Sequence, residues 1–267
     1  MKGIKYGKTL TVKKSIHNKY KNKLLKFTKS LYKNIMSEIV KAYKTNDNNY
    51  IQSVLAELNI RYENIAENVG NKITTDFVAS TKDDFLKTYS MGWSYEYEDR
   101  LQAEIINNVA LIKNLPQKAI FEVSQEVFNS VANDENNQSL VDRLKTRYGI
   151  DIRRAETIAR DQTAKLFNVM DEITQTSNGI EFYEWSTVED ERVSTGKGGH
   201  KQLNHKIYKW NETIEDRKPI IDSYGNTGKP GQRVNCRCIG LPVFVEKGYT
   251  MIWDNSQKTY KPIKKVA

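Results

Sequence analysis

A chain of 267 residues, 38% of them hydrophobic, can build one large domain or two modest ones, with a core that is sufficient and not generous. No run of about 18 apolar residues is present to cross a bilayer. Met1-Lys2-Gly3-Ile4-Lys5-Tyr6 is followed by neither an apolar stretch nor a small-residue cleavage site, so the sequence predicts no membrane span, no secretory signal and synthesis in a cytosol.

The net charge of +9 is unevenly distributed: residues 1–44 hold thirteen lysines, no arginine and one acid, Glu38, a local +12 that leaves about −3 for the other 223 residues. A basic arm on a nearly neutral body is the footprint of a polyanion partner, because lysine contacts to phosphate release counterions without base-specific geometry. The competing reading is a solvated helix face. From Tyr20 the apolar residues Leu24, Phe27, Leu31, Ile35, Ile39 and Tyr43 fall every three or four positions, with lysines opposite. That is an amphipathic helix whose stripe packs as core. Function is assigned only to its lysine face, where Lys19, Lys23, Lys26, Lys29 and Lys33 would touch nucleic acid as point charges on the phosphate backbone.

A polar break at 45–49 precedes Ile51, Leu55, Leu58, Tyr62, Ile65, Val69, Ile73 and Phe77 at the same rhythm, with Gly70 as the place where this helix would break. A third run through Leu101, Ile105, Ile106, Val109, Leu111 and Ile112 is expected to stop at Leu115-Pro116. Ile120, Val123, Val127 and Val131 follow, then a polar linker at 133–138. Ser139 would start a short helix ended by Gly149, and a further helix would run from Ile152 to about Thr176.

Beyond Asn178-Gly179 the texture changes. Strands are predicted at 180–188 and 239–245, separated by segments rich in glycine, among them Gly196, Gly198, Gly199, Gly225, Gly228 and Gly231. The fold class read from this is mainly α with a small C-terminal α+β module. The boundaries are 1–115 for a basic helical region, 116–177 for a helical linker, 178–245 for the module and 246–267 for a lysine-bearing tail, loosely attached. The module is short of apolar mass, which favours a staple such as a metal or a partner surface.

The chemistry concentrates there. Cys236-Arg237-Cys238 follows Asn235, and Asp190, Arg192 and His200 precede it. A disulfide across one residue would be strained, so in a reducing compartment the thiols are metal-bound or free. In an extended segment both thiols face one side and Arg237 the other, and His200 or His205 would join Cys236 and Cys238 around a structural zinc. Cys-x-Cys is a weaker zinc signal than Cys-x-x-Cys, and the preferred reading is two small buried hydrophobes. Asp190, Arg192, His200, Asn235 and Arg237 are read as a structural polar cluster, with Asp190 and Arg192 as a loop-clamping ion pair and no residue assigned to catalysis. The alternative is a metal-dependent nuclease or toxin-like enzyme using Asp190, His200, Asn204 and His205. Its histidines lie in a glycine-rich segment instead of a strand, turn and helix element. A zinc deaminase pattern is missing because Gln202 stands two residues after His200.

Arg154-Ala155-Glu156-Thr157-Ile158-Ala159-Arg160-Asp161-Gln162 with Asn168, then 183–193, His200, Leu203-Asn204 and Asn235-Cys236-Arg237-Cys238, resembles the Mu F-type minor head morphogenesis proteins of tailed phages, over residues 108–242. The resemblance implies a virion protein in few copies inside the head near the portal, made in the host cytoplasm and acting in head assembly, DNA packaging or DNA delivery. The partners it implies are the portal protein, the major capsid or scaffolding protein and viral double-stranded DNA. Three departures stand out. Gly196-Lys197-Gly198-Gly199 looks inserted between Asp190 and His200, Ser194 replaces an arginine, and His205 stands where a glycine often follows Leu-Asn.

Overall fold

The structure is a computed structural model that describes residues 2–10, 13–45, 47–89, 95–132, 137–196 and 198–265. They divide into two compact units, Lys13–Gln162 and Met1–Val12 with Thr163–Ala267. The expected polar linker at 133–138 lies mostly outside the described residues.

The first unit contains α1 (Lys14–Tyr43), α2 (Asn48–Tyr89), α3 (Tyr95–Ala132) and the leading part of α4 (Asn137–Ser177). Along α1 the stripe Tyr20, Leu24, Leu31, Ile35 and Ile39 is buried, as its spacing requires. Leu31, Ile35 and Ile39 meet Ile51, Leu55 and Leu58 of α2, Ala119, Ile120, Val123 and Val127 of α3, and Leu144 of α4. Two buried hydroxyls lock the stack: Tyr32 donates to the Leu144 carbonyl at 2.8 Å and Tyr20 to Asn108 Oδ1 at 3.0 Å.

Three expected helix ends are overturned, all for the same reason. Gly70 does not break α2, because its bare Cα lets Ile112 of α3 pack against the helix. Pro116 does not stop α3 but sits inside it. A mid-helix proline costs about 3 kcal/mol by removing one backbone bond and crowding the turn before it. Burial of Ile112, Leu115, Ala119, Ile120 and Val123 around it outweighs that. Gly149 does not end a short helix either: Leu144, Asp151, Ala155, Ile158 and Ala159 keep one buried stripe through it, against a glycine penalty of about 1 kcal/mol.

The second unit is an antiparallel sheet in the order β1-β4-β2-β3, made of β1 (Ile4–Tyr6), β2 (Phe182–Ser186), β3 (Ile207–Lys209) and β4 (Ile239–Val245), with a hairpin of β5 (Tyr249–Asp254) and β6 (Thr259–Lys264). The central pair runs in register from Phe182 opposite Val243 to Ser186 opposite Ile239. Two segments depart from expectation. The first residues belong to this sheet instead of the basic helical region: Ile4 pairs with Val245, Tyr6 with Val243, and Ile4 is buried. The tail is an ordered hairpin. Tyr260 is buried with Ile4, Ile207 and Val243, and the Ile207 amide donates to Thr259 Oγ1 at 2.7 Å. Between β2 and β4, apart from β3, the described chain is loop with short 3₁₀ turns at His200–Leu203 and Glu215–Arg217.

The C-terminal end of α4 is tied into the same unit. Gln175, buried, donates from Nε2 to the Gly240 carbonyl at 2.7 Å and accepts from Trp210 Nε1 at 2.8 Å. Trp210 in turn stacks on Tyr183, their rings 3.9 Å apart. One glutamine thus satisfies polar groups of both the sheet and an aromatic wall that burial would otherwise leave unpaired.

Candidate functional site

The strand β4 begins just after Cys236-Arg237-Cys238, and the turn that delivers these residues is set by Asn235, whose φ of +60° is left-handed. Asparagine tolerates that conformation better than most residues, so its place before Cys236 has a backbone reason. The Cys236 amide then donates to the Arg233 carbonyl at 3.0 Å. Both cysteines are buried and free.

His200, 6% exposed, opens the 3₁₀ turn. Its Nδ1 lies 3.3 Å from Cys236 Sγ and 3.3 Å from Cys238 Sγ, and its Nε2 lies 3.3 Å from the Ile221 carbonyl oxygen. A carbonyl only accepts, so this contact puts the ring proton on Nε2 and leaves the Nδ1 lone pair facing the sulfurs. Hydrogen bonding from Cys238 pulls the Cys236 thiol well below its ordinary value against the cost of burial, while Cys238, beside that thiolate, is pushed up. Trp185, fully buried, meets the His200 ring edge-on at 5.2 Å.

The surrounding loops are crosslinked through backbone atoms. Ser194 Oγ accepts from the His200 amide at 3.1 Å, and the Ser194 carbonyl accepts from the Lys201 amide at 3.1 Å, so the serine that departs from the resembled pattern holds the start of the 3₁₀ turn. Gly198, at φ +70°, has its Cα against the Asp222 backbone, where no side chain would fit. Arg233 donates to the same Ile221 carbonyl at 3.1 Å. Gly231, at φ +81°, donates its amide to Cys236 Sγ at 3.4 Å, and a Cβ there would collide with the Asn168 carboxamide. Gly231→Ala is therefore expected to destabilise this unit by about 1–3 kcal/mol and to raise the reactivity of Cys236 toward a disulfide reagent. Urea denaturation and thiol titration read the two effects.

Arg237 points away from the thiols to Asp190 as a fork: its two terminal nitrogens donate to the two carboxylate oxygens at 2.7 and 2.6 Å. Arg192 adds a more exposed pair to Asp190 at 2.9 Å. Arg237 first, then Arg192, holds the Asp190 carboxyl far below the usual carboxylate range. The sequence paired Asp190 with Arg192; the geometry makes Arg237 the main partner. Asp190, Arg192, His200, Asn235, Arg237 and both cysteines are brought to one region, and Arg192, His200, Asn235, Arg237 and the cysteines line a cleft of about 280 Å³.

His205 lies elsewhere. Its Nδ1 is 3.1 Å from Glu184 and its Nε2 3.0 Å from Glu189, and Asn204 donates to Glu189 at 2.7 Å. Glu184, ahead of Glu189, raises its pKa. Its φ of +63° explains why a glycine suits this position, and the two carboxylates are what the histidine gains for that strain. The four residues considered for a nuclease are thus split: His200 faces the thiols, Asp190 the guanidinium groups, and Asn204 and His205 the glutamates. Ser194, the Ile221 carbonyl and Gly231 were not read from the sequence as parts of the site. Only Gly231 carried a signal, as the second residue of Pro230-Gly231.

On α1, Lys19, Lys26, Lys29 and Lys33 are exposed opposite the buried stripe. Lys23 is half-buried and paired with Asp76 of α2.

Residues 121–240 match the family described as Phage Mu protein F like protein. Over 145 residues the chain is 28% identical to an uncharacterized protein of Haemophilus influenzae (strain ATCC 51907 / DSM 11121 / KW20 / Rd), a stretch that is 54% of this chain and 30% of that protein. The chain therefore spans about 30% of the length of this curated relative. No solved structure matches. The matched segment contains α4, β2, the 3₁₀ turn of His200 and both cysteines.

Proposed function

We propose, from the match of residues 121–240 to the Phage Mu protein F like family, that this chain is a minor head protein of a tailed phage, placed inside the head near the portal, and that α1 touches the packaged DNA without sequence preference. The observation that carries the DNA contact is the lysine face of α1. Lys19, Lys26, Lys29 and Lys33 are exposed on the side opposite the core stripe, and residues 1–44 contain no arginine. Lysine serves phosphate as a point charge, and without arginine the arm lacks the usual bidentate reader of guanine. Binding should follow salt and not sequence.

On duplex DNA each phosphate contact contributes about −0.9 to the slope of log affinity against log salt, and six contacts would lose roughly 10³ between 50 and 200 mM. Replacing Lys19, Lys26, Lys29 and Lys33 by glutamine is expected to flatten that slope by about 3 to 4, measured by fluorescence anisotropy on two unrelated duplexes. Lys23→Gln should change it less, since its ammonium is engaged by Asp76. No binding at 50 mM salt, or an unchanged slope in the fourfold variant, would give the charge to a portal or scaffold contact instead. Nicking of supercoiled plasmid in Mg²⁺ or Mn²⁺, lost on His200→Ala, would favour the nuclease reading.

A further inference from the structure

We propose that His200 Nδ1, Cys236 Sγ and Cys238 Sγ bind one zinc ion, with the fourth coordination position turned to the cleft lined by Arg192, Arg233 and Asn235. All three side chains are buried, and their ligand atoms lie within 4.8 Å of one another. Zinc bonds of about 2.0 Å to nitrogen and 2.3 Å to sulfur at a tetrahedral angle separate N from S by about 3.5 Å. Both N···S separations here are 3.3 Å.

Packing alone does not account for this arrangement. Two thiols can serve as small hydrophobes beside Trp185, Leu203 and Tyr208. A buried imidazole aimed between them by its lone pair adds nothing to such a core, and burying a polar ring is unfavourable unless its nitrogens are engaged. The outer contacts are those a zinc ligand set uses. The Ile221 carbonyl fixes the His200 tautomer from behind, and the Gly231 amide points at Cys236 Sγ. Charge also balances: Zn²⁺ with two thiolates and a neutral imidazole has no net charge, and Asp190 already neutralises the neighbouring Arg237. Soft sulfur with imidazole in a tetrahedral array selects zinc over magnesium or calcium. Among the described residues no fourth side chain of a ligating type joins the group, so the remaining position takes water or another small donor from the cleft.

The ion would bridge the 3₁₀ turn of His200 and the start of β4, two segments separated by more than thirty residues that include β3. A metal staple is one way small cores reach stability. This inference does not depend on the DNA contact or on a place in the head.

The test uses the full chain, expressed with added zinc and purified under reducing conditions. Metal analysis is expected to give about one zinc per chain. Titrating the thiols with a mercurial should release that zinc as Cys236 and Cys238 are consumed, and cobalt added to the zinc-free protein should give the visible bands of a tetrahedral cobalt thiolate. Cys236→Ser, Cys238→Ser and His200→Ala should each weaken binding by at least 100-fold, and His205→Ala should leave it unchanged. Because a ligand variant can fail to fold, the cobalt spectrum and the thiol titration of the unmodified chain decide by themselves. No metal above background, no cobalt–thiolate band, and thiols that react equally fast with and without zinc would overturn the proposal. So would recovery of a Cys236–Cys238 disulfide, or one equivalent of iron or copper in place of zinc.

Discussion

Deleting residues 1–10 is expected to destabilise the sheet unit by roughly 3–6 kcal/mol, since Ile4 and Leu10 are buried and each buried aliphatic side chain contributes about 1.5–3 kcal/mol. The backbone losses add to this. Ile4–Tyr6 covers one edge of β4, the Gly7 amide donates to the Pro242 carbonyl at 3.0 Å, and the Glu246 amide donates to the Gly3 carbonyl at 2.9 Å. The deletion bares a strand edge as well as apolar surface, so aggregation is expected alongside the lower stability. Tryptophan fluorescence in urea is the suitable measurement, because Trp185, Trp210 and Trp253 belong to this unit; Trp93 lies outside the described residues. Lys2→Gln, Lys5→Gln and Lys8→Gln together should leave the midpoint nearly unchanged. A deletion that also leaves it unchanged would make these residues a charged arm after all.

Asp171→Asn is expected to stabilise the same unit at pH 8 and to change little at pH 4. The Asp171 carboxyl is 5% exposed and accepts the Leu10 amide at 3.1 Å. Burial pushes its pKa up to about 7, partly opposed by the Leu10 amide and by Gln175. A carboxyl whose folded pKa exceeds its unfolded value holds its proton more tightly in the folded state. Stability therefore falls as pH rises from about 4 to about 7, and above that the folded protein carries the full penalty of a buried charge. A rise of about three units from 3.8 bounds the effect at about 4 kcal/mol. Asparagine keeps an acceptor for Leu10 and removes the charge. Denaturation midpoints across pH 4–8 should slope downward in the unmodified protein and flatten in the variant. An unchanged slope would mean that Asp171 ionises freely in the fold. Asp151, pushed up to about 6 by burial, acts in the same direction in the helical unit, which the three tryptophans do not report.

The periodicity of apolar residues was enough to place the helices and most of their buried faces, because a stripe at three and four is a local property that any partner helix can cover; Ile65 of α2 and Ile106 of α3, read into those runs, are exposed. It was enough for β4 at Ile239–Val245 and for the core of β2, where aromatic and β-branched residues alternate between turns. The grouping of His200, Asn235, Cys236 and Cys238 was also legible, since both cysteines and two of the three histidines of the chain fall in that segment. Helix ends were not legible. Pro116 and Gly149 are local stop signals of about 1–3 kcal/mol, and only the buried stripes running through them decide that α3 and α4 continue. The strand Ile4–Tyr6 was hidden because three residues carry no period, and their partner Val243–Val245 stands more than two hundred positions away. The choice of Arg237 over Arg192 as the main partner of Asp190, and the Ile221 carbonyl behind His200, likewise depend on loop closure in three dimensions. Residue types and their spacing determined which elements form and which chemistry gathers at the Cys-Arg-Cys segment, because both are properties of neighbours along the chain. Where helices end, which strand covers the edge of β4 and which atom faces which were decided only in the tertiary structure, because those outcomes rest on burial energies between segments that the order of residues does not bring together.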